Sequence, residues 1–535
     1  HGEISFPFAI HNQFQTTLST LRAALDKRRE LLDYQRDFYT SAYRRAAEDD
    51  LAGYVVSDSG DPARTYHFLD ILRRHQIQVH ALGAAIEIGD QRYEPGHAWV
   101  IPTDQPQVLL VRSLFERRVD FADSTFYDVS TWTLPLAFDL PFSQLDRKSL
   151  APKHLGEPLQ TPRLPAGKAP DAPTYAFAFT WDSYYAPRAL HRFLAAGVKA
   201  RVATKTFTAE THGGPQTFGL GTIVIPLGIQ DVAPETLIEI AARAAREDAI
   251  DIHAIASGLS TEGIDLGSPS LEPLELPKAA LVVGRGVGPY AAGEIWHLMD
   301  LKHAMPLTLV EHRALAELDL TAYTHLILVD GQYRRLPPDL GTKLWQWVED
   351  GGVLIAMQRG ARWVARHVHE TPLKSPADTK PAETAATQND EVPKRRPYSE
   401  NERERAAQLI SGAIFEVEID TTHPLAYGYQ RSRLPVFRNS EVFLEPPKDP
   451  YVQVAVYSQE PLISGYVSSK NLRRLRGTPA VIAQRQGDGV IVRMADDPSF
   501  RAYWYGTEKL FLNSIFFAPI LEDTARPPRN RAEHE

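Results

Sequence analysis

Several groups of residues have types and spacings that could do chemistry. The turn Gly284-x-Gly286-x-Gly288 follows the apolar run Ala279–Val283 and opens a helical stretch. Backbone amides at such a turn can hold an anion. The dinucleotide-binding pattern needs G-x-G-x-x-G, however, and Pro289 stands next in line, so a ligand-free strand-to-helix turn fits the same residues. The run Val353–Met357 leads into Gln358-Arg359-Gly360, where a nucleophile elbow would place Ser or Cys. Met357, Gln358 and Arg359 are not nucleophiles, so the elbow is expected to be catalytically silent. His367-x-x-Glu370 has the spacing of a zinc-binding pair, but a metal site needs further ligands and rigid support, and solvated surface side chains explain it as well. Asp420 and His423 could act as orienter and base, or form a turn closed by Pro424. Arg64 and Arg188 each stand near a helix start after a strand, with Asp58, Asp61 and Asp182 close by. They could bind an anionic group or form structural ion pairs. The candidate ligand contacts are therefore Arg64, Arg188, Asp58, Asp182, His423 and Asp420, with no catalytic residue and no metal ligand nominated.

The elements that position these residues read as α/β: several domains, mostly parallel sheets flanked by helices. Between Lys278 and Val364, short apolar runs alternate with amphipathic helices and glycine stops, as in a parallel sheet covered on both faces. Gly53–Pro102 and Thr174–Pro226 read as two related units, each strand, helix, strand, loop, strand, and each followed by a glutamine, Gln105 or Gln230. Any two such units look alike, so chance similarity is the alternative. Glu3–Ile10 alternates like a strand, and His11–Asp49 reads as one long bracing helix. Residues 151–173 read as a proline-rich linker. Residues 371–405 are polar and hold five prolines, as a mobile insertion would.

At 535 residues the chain exceeds a single core, and two to four domains are expected. A net charge of −9 gives no basic excess for nucleic acid. No apolar run approaches the ~18 residues of a membrane span. The absence of cysteine excludes disulfides, thiolate metal sites and cysteine nucleophiles. The first residue is His, which reads as a processed chain or a fragment.

Five segments carry a resemblance in combination: 5–14 (SFPFAIHNQF), 31–39 (LLDYQRDFY), 293–300 (GEIWHLMD), 420–428 (DTTHPLAYG) and 500–504 (FRAYW). They resemble the long region that follows the peptidase domain in bacterial M14-family zinc carboxypeptidase-like proteins. The resemblance implies a zinc held by an H-x-x-E pair and a later His, with a general-base Glu just upstream of Gly2. None of these has a matching position here. From Lys278 the chain resembles a class I glutamine-amidotransferase domain, a flavodoxin-like fold, without its nucleophilic Cys. The His423-Pro424 turn resembles that of trehalose-utilisation-like members of the superfamily.

The expected organisation is a strand plus long helix (1–50), a first α/β unit (51–150), the linker, a second α/β unit (174–277), a degenerate amidotransferase-like domain (278–520) and a tail (521–535). The expected function is a non-catalytic accessory portion of a zinc carboxypeptidase. No cofactor is expected in this chain, zinc belonging to the peptidase domain upstream, which is the expected partner in cis. The alternative is a stand-alone module binding a small molecule, with a peptide or glycan as ligand. By the resemblance the protein is secreted or periplasmic.

Overall fold

The computed structural model describes residues 4–122, 128–170, 174–333, 336–337, 339–368 and 397–524. The chain divides into two compact units: residues 1–57, 70–115 and 142–161 form the first, and 58–69, 116–141 and 162–535 the second. The expected domain at 51–150 is thus split between them. The tail beyond 524, Pro338 and residues 371–396 of the expected insertion lie outside the described residues. The rest of that insertion is a short helical turn, Tyr398–Glu400, and a helix, Asn401–Ala407.

The first unit is built on a five-stranded sheet in the order Phe142–Asp146, Leu51–Ser57, Ala98–Pro102, His80–Leu82, Leu155–Pro158. Its pairings are all antiparallel, which corrects the expectation of mostly parallel sheets. Leu155–Pro158 also corrects the linker, because this part of 151–173 is an edge strand. Val55, Leu82, Tyr93, Val100 and Leu145 make its core. The expected N-terminal strand is instead a helix, Phe6–Asp26, capped by the Ser5 side chain with Pro7 in its first turn. A break at Lys27 separates it from a second helix, Arg28–Glu48. The first helix buries none of its residues, and Phe6, Phe8 and Phe14 are exposed.

The second unit holds two large sheets over one continuous core, so the expected domains 174–277 and 278–520 are not independent. One sheet has Ala176–Phe179 near its centre, flanked by Ile223–Pro226 and His253–Ile255, and its pairings are antiparallel. The other is nine-stranded. Its first five strands are parallel: Thr308–Glu311, Ala279–Val283, His325–Leu328, Val353–Met357 and Gly489–Met494. Pro479–Gln486, Gln453–Ser464, Ala413–Ile419 and Arg433–Arg438 continue it antiparallel. The parallel block is the stretch whose apolar runs read that way. The helix Tyr505–Phe516, packed on the turn Pro424–Ala426 and the strand Arg433–Arg438, is buried along nearly its whole length.

The two similar stretches share a strand order. Leu51–Ser57 and Ala176–Phe179 are each followed by a helix (Pro62–Arg74, Ala186–Ala195), a strand (His80–Leu82, Ala200–Ala203), a hairpin and a return strand (Ala98–Pro102, Ile223–Pro226). A glutamine latches each. Gln105 accepts from Gln78 N–H at 2.8 Å and donates to the carbonyls of Gln78 and Pro102. Gln230 accepts from Lys199 N–H at 2.8 Å and donates to the carbonyls of Lys199 and Pro226. Gln105 is fully buried and Gln230 half-buried. Gln105→Ala is therefore expected to cost about 2–4 kcal/mol by stranding buried groups, and Gln230→Ala about 1 kcal/mol, because water replaces the lost bonds. Urea denaturation of the two variants checks the difference.

Candidate functional site

A polar cleft of about 100 Å³ in the second unit brings two of the nominated residues together, Arg64 and Asp182. Asp61 caps the helix that carries Arg64, its carboxylate accepting from Ala63 and Arg64 N–H, both at 3.2 Å. That cap sets the Arg64 side chain in the first helical turn. Its Nη2 donates to Ser59 Oγ at 2.7 Å and its Nη1 to Asp139 Oδ2 at 3.4 Å. Arg64 Nε lies 3.5 Å from Asp61 Oδ2 but makes no hydrogen bond.

Asp139 is the pivot of this arrangement. It sits at φ 50°, a left-handed conformation uncommon outside glycine, which turns both its carbonyl and its carboxylate toward Arg431. Burial raises its carboxyl above the ordinary value, against the pull of Arg64 and Arg431. On another wall, Lys509 Nζ donates to three successive carbonyls, Trp181 and Asp182 at 2.6 Å and Ser183 at 3.1 Å. Burial lowers its ammonium to about 8. All three donors are in use, so Lys509 works as a staple rather than a nucleophile. Tyr505 closes the cleft, its ring stacked on Phe138 with centroids 4.6 Å apart.

Arg188 lies outside the cleft. It bonds Asp248 Oδ1 at 2.5 Å, the carbonyls of Glu247 and Lys302, and stacks on the Tyr185 ring. All its nitrogens are engaged within the fold, as in a structural clamp. Arg64–Asp139 and Arg188–Asp248 are a similar device: a helix-start arginine from each of the two similar stretches is held by a later aspartate, Asp139 just past the helix Leu134–Ala137 and Asp248 at the end of the helix Pro234–Asp248. Asp58 accepts from Gly60 N–H within its own loop and does not line the cleft.

Asp420 and His423 likewise make local bonds. Asp420 Oδ1 accepts from Thr422 N–H and Oγ1, closing a local turn, and His423 Nδ1 accepts from Leu425 N–H. The two side chains thus serve the turn separately. Burial holds the His423 imidazole down to about 4, so it is a neutral cap.

The elbow does have the backbone of one. Gln358 takes φ 48°, ψ −120° between strand and helix. Its carboxamide donates to Asn439 Oδ1 at 2.7 Å, and Arg359 pairs with Asp330. At the glycine turn, Gly284 has φ +101° and the Glu311 carboxylate packs where a Cβ would sit. The protein's own carboxylate occupies this turn, which disfavours a second anion there. Glu370 lies outside the described residues, and among those described no cluster of three or more His, Asp or Glu could hold a metal ion.

Sequence reasoning missed Asp139, Arg431 and Tyr505. Lys509 had a weak signal: a Glu508-Lys509 pair followed by the apolar run Leu510-Phe511-Leu512. Arg493 is a further buried charge. It is 1% exposed, with Nε and Nη2 unpartnered, and burial lowers it to about 10.

No family model matches the chain, and no curated protein does. Among solved structures, a β-galactosidase from Bacillus circulans sp. alkalophilus is 12% identical over 44% of this chain and 30% of its own, with TM-score 0.24. The exo-β-1,4-mannosidase Op5Man5 from Opitutaceae bacterium strain TAV5 is 12% identical over 44% and 35%, with TM-score 0.23. A β-galactosidase from Rahnella sp. R3 is 12% identical over 51% and 33%, with TM-score 0.20. The chain thus spans about a third of the length of these proteins, and at such superpositions the likeness assigns neither a fold family nor a chemistry.

Two expected outcomes follow from the buried groups. His423 and His325 are both held down to about 4 by burial, against an ordinary 6.5. Both are neutral in the fold, so the stability they contribute is complete above pH 6.5 and is lost as pH falls toward about 4, up to about 3 kcal/mol each. Urea midpoints at neutral and acid pH check this, and His423→Asn, which keeps the cap, should flatten the slope. Arg493→Met should raise stability by on the order of 1–3 kcal/mol, because it removes an unmatched buried cation, as a shift in the urea midpoint would show.

Proposed function

We propose that the chain is the non-catalytic accessory portion of a larger zinc carboxypeptidase-like hydrolase, and that it binds a small polar ligand. Gln358 carries the non-catalytic half: a strained strand-to-helix turn keeps the backbone of an elbow and offers a carboxamide where attack needs a hydroxyl or thiol. The sequence resemblance carries the family half, including the amidotransferase-like character of the parallel block. On this view zinc resides in a peptidase domain encoded upstream, and the protein is secreted or periplasmic. Reading the gene upstream of His1 is expected to reveal a domain with an H-x-x-E pair, and a frame without one sinks the accessory role. This chain itself should bind no zinc and cleave no C-terminal residue from peptides.

The polar cleft favours a second reading, a stand-alone module for a small molecule or glycan. Its charged side chains are fixed by the fold before any ligand arrives, as a binding site requires. A thermal-shift panel of sugars and short peptides should include at least one compound that stabilises the chain saturably, and Ser59→Trp, which fills the cleft, should abolish the shift. A shift that survives Ser59→Trp places the ligand elsewhere.

A further inference from the structure

We infer that the ligand of this cleft is a small zwitterion, a molecule carrying a carboxylate and an ammonium group, as a free amino acid does. The inference rests on the reading that the cleft binds a small polar ligand, and it names the class.

Charge balance comes first. The lining holds three carboxylates, Asp61, Asp139 and Asp182, and three cations, Arg64, Arg431 and Lys509. A ligand with net charge would leave that charge unbalanced in a partly enclosed site, where it is poorly screened. A neutral zwitterion preserves the balance.

The unused hydrogen-bonding groups then divide by polarity. Arg431 engages Asp139 through Nη2 alone, which leaves Nε and Nη1 uncommitted among the described residues, on a side chain 46% exposed. Each of these two donors suits one oxygen of a carboxylate through a single charge-assisted hydrogen bond, since Nη2, shared by both paired edges of the guanidinium, is held by Asp139. Among the carboxylates, both Asp139 oxygens are taken by arginines. Asp61 Oδ1 caps the helix and its Oδ2 faces Arg64. Asp182 Oδ1 accepts from Thr180 and Ser183, while its Oδ2 accepts no bond among the described residues. That oxygen suits an ammonium. A volume of about 100 Å³ favours a molecule of amino-acid size over a chain.

The test titrates the intact chain with the common L-amino acids singly, by calorimetry at neutral pH. The best binder is then compared with its N-acetyl derivative, which lacks the ammonium, and its amide, which lacks the carboxylate. We expect saturable binding of at least one amino acid. Both derivatives, and the variants Arg431→Gln and Asp182→Asn, should weaken it roughly tenfold or more. Equal binding of either derivative overturns the assignment. So does failure of every amino acid, even where a sugar from the earlier panel binds and Ser59→Trp blocks it. In that case the cleft remains a binding site and only its ligand class changes.

Discussion

The second unit depends on the satisfaction of three polar side chains on one helix that has almost no contact with water. Within Tyr505–Phe516 every residue from Gly506 onward is buried, including Glu508, Lys509 and Asn513. Such groups are tolerated only when fully paired. Glu508 takes the Tyr184 hydroxyl, Ser499 Oγ and the Lys302 ammonium. Lys509 takes the three carbonyls after the strand Ala176–Phe179. Asn513 takes the Trp181 indole and the carbonyls of Leu425 and Tyr427, which bracket the turn at His423. One helix therefore fixes the ends of segments far apart in sequence, and the cleft is bounded by the segments it fixes.

The turn at His423 and the clamp at Arg188 show how much polar chemistry this fold spends on shape. Each looked like a place for ligands because its residue types are those of active sites. In each, every donor or acceptor that matters already has an internal partner. The Arg64 clamp differs in one respect. Its aspartate is shared with Arg431, a half-exposed guanidinium on a loop, so the same device opens to solvent.

The parallel block, the sharp strand-to-helix turn at Gln358 and the paired glutamines were legible because each rests on contacts close in sequence or on an apolar run between glycine stops. The first helix was not. Ile4, Phe6, Phe8 and Ile10 alternate with period two as a strand does, and the stronger signal was the Ser5 cap with Pro7 behind it. The antiparallel sheets were misjudged because strands such as Ala176–Phe179 are buried throughout, and burial on both faces reads the same in either sense. The cleft was half visible. Arg64 and Asp182 stand at helix starts and strand ends, whereas Asp139 lies 75 residues from Arg64 and 292 from Arg431, so no local pattern links them.

The position of Tyr505–Phe516 also orders events in time. It follows every strand of the second unit in the sequence. A ribosome delivers those strands first, and they wait without the side chains that join their ends. During synthesis the unit stays open, with apolar faces and strand edges uncovered, until this helix emerges and closes it. Demand for chaperones should therefore be greatest late in translation of this chain, and a nascent chain stopped short of Tyr505 is the form most prone to aggregate.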